Sequence, residues 1–189
     1  DLGETEYTAN VEVKNVAPTA TFNAPSEVNE GSPIALSLTG PFDPSTVDTA
    51  AGFKYAFDCG DGSGYGAFGA SSTAICPTTD NGVRTVKGKI QDKDLGETEY
   101  TANVEVKNVA PTVTITGPPS GSLYAVNTPV IFTGTYTDPG TADTHKAQWT
   151  FDSSITTPLQ DVSGGSVSTT YTFTSAGVYQ VKLTVTDDD

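Results

Sequence analysis

Residues 94–112 read DLGETEYTANVEVKNVAPT, and residues 1–19 are the same nineteen residues without one change. Within that stretch Glu97 to Asn108, ETEYTANVEVKN, alternates polar and apolar side chains up to a proline boundary at Pro111. A period of two predicts a half-buried β-strand, because successive side chains of a strand point to opposite faces of its sheet. From Asp1 to Asp94 the repeat sets a period of 93 residues. The run ahead of the second copy, Val86 to Asp94 (VKGKIQDKD), aligns with the last nine residues, Val181 to Asp189 (VKLTVTDDD). Asp189 thus falls in register with Asp94 and Asp1, and the chain reads as two tandem periods of 93 and 95 residues.

This frame is out of phase with the domains it implies. Residues 18–110 form a first domain closed by the strand at 97–108, and residues 111–189 form a second domain that lacks its last strand. Residues 1–17 are then the last strand of a preceding repeat, or a strand donated to another molecule. The first residue is not Met, which reads as a processed or excised piece of something longer. Two explanations stand side by side. Either the chain is a window on a longer covalent array, or residues 4–15 complete the carboxy-terminal domain of another copy by strand addition. In the second case Tyr7, Val11 and Val13 are the side chains such a strand buries.

Outward from the repeat, short strand-like runs follow at turn-separated intervals. They are TATF at 19–22, PIALSLT at 33–39, FKYAFD at 53–58 and VRTVKGKIQD at 83–92. The second period repeats the plan with TVTIT at 112–116, PVIFTGTYT at 129–137, KAQWTFD at 146–152, VSTTYTF at 167–173 and VYQVKLTVTD at 178–187. Composition agrees: 31 residues are Thr and another 31 are Gly or Pro, which favours strands and turns over helices. About seven short strands in about 90 residues is the pattern of an immunoglobulin-like β-sandwich. The expected fold is all-β: two tandem sandwiches joined end to end, in a frame permuted by one strand. Tyr55, Phe57, Trp149 and Phe151 occupy alternate positions of the third strands and are expected to face the core.

At this point several motifs resemble one family. The run Tyr55 to Ser63, YAFDCGDGS, resembles the W/Y-x-F-D-x-G-D-G-S segment of PKD (polycystic kidney disease) domains. Tyr171 to Asp189, YTFTSAGVYQVKLTVTDDD, looks like the same family's penultimate strands. FDPSTVDT at 42–49 and YTDPGTADTH at 136–145 resemble its D-P-G loop, and NVAPT resembles its inter-repeat joint. The second period departs from the pattern, with WTFDSS where GDGS belongs, and the first has DPST instead of DPGT.

The chain carries 23 Asp plus Glu against 9 Lys plus Arg, a formal charge of −14. That argues against nucleic acid or an anionic membrane as a partner, since either would be repelled rather than release its counterions. No apolar run reaches the roughly 18 residues of a membrane span. The acidic residues gather at loop positions: Asp43 and Asp48, then Asp92, Asp94 and Glu97, and in the second period Asp138 and Asp143, then Asp187, Asp188 and Asp189. Adjacent carboxylates repel, and a hard cation that takes six to eight oxygens converts the repulsion into attraction. Some PKD domains bind calcium through an amino-terminal Asn, the D-P Asp and an Asp of the D-D-D turn. The resemblance therefore implies Asn15, Asp43 and Asp92 as ligands in the first period, and Asn108, Asp138 and Asp187 in the second. The competing reading is that these are turn residues, which Asp and Asn favour without any ion.

Cys59 and Cys76 are the only cysteines, with 16 residues between them. In an acidic, Thr-rich, apparently secreted β protein they read as a structural disulfide, with two free thiols as the alternative. The glycine-rich run Gly60 to Gly66 has no Lys and no following helix, and Asp61 repels phosphate, so it is a hairpin turn and not a phosphate cradle. For catalysis the chain offers a single imidazole, His145, and no G-x-S-x-G elbow, so no enzyme activity is expected. Tyr65 and Phe68 in the hairpin are the aromatics a glycan could stack on, although singly spaced rings more often fill a small core. The expected protein is a non-catalytic, secreted or cell-surface structural repeat. Its partners are further repeats or copies of itself, and calcium is its expected cofactor. The second expectation is an adhesion or polysaccharide-binding module.

Overall fold

The computed structural model describes residues 2–152 and 154–189; Asp1 and Ser153, the latter in the WTFDSS run, lie outside the described residues. The fold is all-β and immunoglobulin-like. In chain order the elements are β1 (Thr19–Asn23), β2 (Glu27–Asn29), β3 (Ile34–Phe42), a short helix α1 (Thr46–Ala51), β4 (Lys54–Asp58), β5 (Thr73–Cys76), β6 (Gly82–Gln91) and β7 (Glu97–Lys107). There follow β8 (Thr112–Gly117), β9 (Pro129–Thr137), β10 (His145–Phe151), β11 (Ile155–Thr156), β12 (Gln160–Val162), β13 (Ser166–Thr172) and β14 (Val181–Thr186). One three-stranded sheet runs β1-β3-β5 and a four-stranded sheet β2-β7-β6-β4. The second pair is β13-β9-β8 and β11-β10-β12, with β14 also on β10.

Two compact units divide the chain and cut across some of these strands. The first comprises Asp1–Ala24, Ala35–Ala74 and Thr85–Ala102; the second comprises Pro25–Ile34, Ile75–Arg84 and Asn103–Asp189. The core of the first unit joins Leu38 of β3 to Tyr55 of β4 and Ile90 of β6, with Phe22, Phe53, Phe57 and Tyr100 packed around them. Tyr100 also fixes an edge: its hydroxyl accepts from the Ala20 amide at 2.8 Å, and its ring stacks on Phe22 with centroids 6.4 Å apart. A half-buried phenol with its oxygen satisfied contributes apolar area without an orphaned polar atom.

Aromatic packing dominates the core of the second unit. Phe132, Trp149, Phe151, Val130, Tyr136, Leu183 and Val185 form it. Phe151 lies flat on Tyr171 at 4.1 Å, tilted against Phe132 at 5.2 Å and edge-on to Phe173 at 6.1 Å. Gly134 in β9 is required by this packing, because a Cβ there would overlap Leu183 and come within 3.0 Å of the Thr114 carbonyl. As expected from the alternation, Tyr55, Trp149 and Phe151 are buried and Phe57 half-buried.

Two local expectations are corrected. The FDPST loop contains a turn of helix: Ser45 caps it by accepting from the Asp48 amide at 3.2 Å, and Gly52 ends it at φ 82°. A serine cap with an acidic residue in the first turn is the local signal for such a turn. Residues 4–15, expected as a strand, form none. Identical residues build β7, where Val104 and Val106 are buried; their counterparts Val11 and Val13 are 84% and 89% exposed, and Tyr7, the counterpart of Tyr100, is 90% exposed. The sequence is competent in both places, but a lone strand leaves its N–H and C=O groups unpaired and has no face to bury.

Substituting Phe151→Ala removes the ring that three aromatics contact. It is expected to destabilise the fold by about 3–5 kcal/mol, read as a fall in the urea midpoint followed by Trp149 fluorescence.

Candidate metal centres

Three carboxylates meet in the first unit. Asp43 follows β3, Asp48 lies in α1, and Asp92 follows β6. They are 5%, 3% and 2% exposed, and each offers an oxygen within 4.8 Å of the others. Local folding explains their placement. Asp43 turns back to accept from the Ser45 amide at 2.7 Å, while Asp92 accepts from the amides of Asp94 and Gly96, both at 2.8 Å. Asn15 reaches the cluster from the amino-terminal segment, its amide nitrogen donating to Asp92 Oδ2 at 2.9 Å. Gly96 is obligatory here: a Cβ would lie 2.5 Å from Asp92 Oδ2 and 2.7 Å from Asn15 Nδ2.

One side of this cluster is already neutralised. Lys93 Nζ lies 3.0 Å from Asp48 Oδ1, and its hydrogen bond holds the Asp48 carboxyl below the usual carboxylate range despite the opposing effect of burial. The same pairing, with Asp94 as the larger contributor, raises Lys93. Asp43 Oδ2 remains buried with no hydrogen-bond partner. The donor set is entirely oxygen, so it suits a hard cation such as calcium and not a thiophilic metal.

The second set assembles differently from the expectation. Asp138, at the end of β9, clusters with Asp143 and with Glu30, a residue from the loop after β2, all three within 4.8 Å. Asp143 also forms a group with Asp80 and Asp189. Asn108 is exposed, and Asp187 belongs to neither group. Asp187 is half-buried nearby in sequence, with Oδ2 unpartnered. Asp138 accepts from the Gly140 amide at 2.8 Å and faces His145 Nε2 at 3.0 Å. The imidazole in turn packs on Tyr136, centroids 4.8 Å apart. Burial first, and then the charges of Glu30, Asp138, Asp80 and Asp189, push the Asp143 carboxyl up to about 6. Sequence reasoning passed over Glu30 and Asp80 as ligands, because each stands as a single acid in a turn (NEGSP and TTDNG) with no spacing that marks it.

Both cysteines are disulfide-bonded. Tyr65 and Phe68 are half-buried, and Lys89 Nζ sits 4.7 Å from the centre of the Tyr65 ring. Among the described residues no helix is long and apolar enough to cross a membrane.

Residues 108–189 match the family model of the PKD domain. No curated protein matches the chain closely enough to count as a relative. Among solved structures, the chain is similar to the PKD1 domain of Vibrio anguillarum Epp, with 20% identity over 50% of this chain and 98% of that one at a TM-score of 0.37. It is similar also to fibronectin(III)-like modules of Clostridium thermocellum CbhA, with 19% identity over 90% of this chain and 87% of that one at a TM-score of 0.37. A third likeness is to carbohydrate-binding modules of the β-sandwich superfamily, with 16% identity over 90% of this chain and 85% of that one at a TM-score of 0.43.

Gly96→Ala forces either Asp92 or Asn15 out of the first cluster. It is expected to cost about 1–3 kcal/mol, seen as a lower melting temperature, with Gly3→Ala, at the identical position of the exposed copy, leaving the melt unchanged.

Proposed function

We propose that the chain is a non-catalytic structural segment of a secreted or cell-surface array, a rod-like spacer built from sandwiches at 18–110 and 111–189. One observation carries this reading. The residues of β7, Glu97–Lys107, occur a second time at positions 4–14 as an exposed segment whose Tyr7, Val11 and Val13 lie in solvent. In the first sheet pair β6 lies between β4 and β7, whereas β14, at the equivalent place in the period, has β10 as its recorded partner among the described residues. In this reading a strand of the ETEYTANVEVKN type, from a further repeat or from another copy, takes the place beside β14 that corresponds to β7. Strand addition gives main-chain hydrogen bonds for affinity and alternate side chains for specificity, and Tyr7, Val11 and Val13 supply the buried face.

The joint is also braced. In the second unit Val109 of the VKNVAPT segment donates its amide to Glu30 Oε1 at 2.6 Å, and Ala142 donates to the Thr79 carbonyl at 2.9 Å. Calcium fits the first cluster, where Asp43, Asp92 and the Asn15 side-chain oxygen are the ligands and a cation would compensate the unpartnered Asp43 Oδ2. The disulfide and the acidic surface suit an extracellular setting.

The second reading, a polysaccharide-binding module, draws on the aromatic hairpin. Retention of the chain on an insoluble polysaccharide, abolished by Tyr65→Ala, would support it; passage in the unbound fraction would dismiss it.

The strand-addition reading is tested by deleting residues 1–17 and adding a synthetic peptide of residues 4–15. Peptide binding is expected to raise the melting temperature by several degrees, and a peptide with Val11→Asp and Val13→Asp to have no effect. A melt indifferent to the unsubstituted peptide would refute strand addition.

A further inference from the structure

The turns that lead into β3 and into β9 are built alike. Gly31 takes a φ of 72° and Asn127 a φ of 61°, asparagine being among the few side chains that enter the left-handed region readily. The Ser32 amide donates to the Asn29 carbonyl at 3.1 Å, and the Thr128 amide to the Ala125 carbonyl at 3.3 Å. The Gly31 amide donates to the Thr78 carbonyl at 3.3 Å, and the Asn127 amide to the Phe173 carbonyl at 2.8 Å. This match sets Glu27 opposite Leu123, Val28 opposite Tyr124 and Glu30 opposite Val126.

What precedes the two turns differs. Ahead of the first, β2 runs parallel to β7 with Val28 beside Val106. The Glu30 amide donates to the Lys107 carbonyl at 2.9 Å, and the Glu105 amide to the Ser26 carbonyl at 3.0 Å. Ahead of the second, residues 121–128 form no strand and all are exposed. Leu123, Tyr124 and Val126 are 95%, 53% and 47% exposed, where Val28 is half-buried and Glu30 buried. An extended segment that holds apolar side chains in water gains once a strand pairs with it and covers them. Charge points the same way. A strand of the β7 type is acidic, since residues 4–14 carry Glu4, Glu6 and Glu12 against Lys14. The first period meets it with Glu27, paired to Lys107, and Glu30, paired to the Val109 amide. In the second period both acids are apolar residues, Leu123 and Val126. Between two molecules that each carry −14, an edge without carboxylates lowers the like-charge cost of receiving an acidic strand.

We infer that residues 122–126 are the receiving edge for residues 4–14 of a second copy of this chain, in parallel register with Val13 beside Tyr124. In this register the Glu12 amide donates to the Ser122 carbonyl and the Val126 amide to the Lys14 carbonyl, the counterparts of the two bonds that tie β7 to the first turn. The inference rests on the strand-addition reading and adds to it the second segment that the donated strand pairs with, its direction and its source. Residue 13 of one copy meets residue 124 of the next, so the contact is heterologous and propagates head to tail.

The experiment uses the full 189-residue chain. Two variants, Val13→Cys and Tyr124→Cys, both at exposed positions, are mixed under mild oxidation and the products resolved by intact mass. Heterodimer is expected to exceed either homodimer several-fold, and Thr8→Cys in place of Val13→Cys to remove the excess. Sedimentation gives a readout without added cysteines. The unsubstituted chain is expected to self-associate, and Leu123→Glu/Val126→Glu, which restores the acids of the first period, to weaken the association at least tenfold. A chain that stays monomeric, heterodimer no greater than with Thr8→Cys, or an association left within twofold by Leu123→Glu/Val126→Glu overturns the proposal. A crosslink within one molecule of the Val13→Cys/Tyr124→Cys double variant at high dilution overturns the second copy as donor. If the peptide of residues 4–15 still raises the melting temperature after such a result, strand addition beside β14 stands and the parallel edge alone falls. If the peptide is also without effect, both readings fall.

Discussion

A β-strand is stable only where its main-chain groups are paired along an edge and one of its faces is covered, and this single constraint divides the chain. It makes β7 the closing strand of a four-stranded sheet and leaves the identical residues at the amino terminus in solvent. Local propensity is the same in both copies, so the difference is wholly tertiary. What β7 gains is visible in its side chains: Tyr100 satisfies the Ala20 amide, and Val104 and Val106 are closed off from water. Each of those gains requires a neighbouring sheet.

Electrostatics forms the second layer of organisation. The acidic residues that give the chain its charge are not dispersed evenly; a few are folded into loops where carboxylates touch. In the first cluster the arrangement is partly self-contained, through Lys93 and several backbone amides. In the second, neither oxygen of Asp143 has a hydrogen-bond partner among the described residues, and burial first, then the neighbouring carboxylates, raise it. The two loops differ in backbone, the first carrying α1 and the second none, and in how their charge is compensated.

Much of the fold was legible in the sequence, for identifiable reasons. β9 spans the same residues as the run PVIFTGTYT, and alternation placed Trp149 and Phe151 inward, because a period of two is a local signal. The helix turn at Thr46–Ala51 was hidden behind a proline and a serine that also read as a turn. For the candidate centres, Asp43, Asp92 and Asn15 do meet, whereas the acids gathered around Asp138 are Glu30 and Asp143. Glu30 was illegible for a physical reason: it lies more than 100 residues from Asp138, and its contact depends on how a loop of one sheet pair packs on a loop of the other, which no local pattern encodes.

The pairing of β2 with β7 has a mechanical meaning. The two strands run parallel, Glu27 beside Glu105, Val28 beside Val106 and Asn29 beside Lys107, with an ion pair between Lys107 and Glu27 at their ends. β2 lies near the start of its repeat and β7 at its close. Tension applied between a point ahead of β2 and a point beyond β7 drags the two strands lengthwise past each other in opposite directions. Slanted parallel hydrogen bonds loaded in that direction share the force and must yield together, whereas a hairpin pulled open from its end yields one bond at a time.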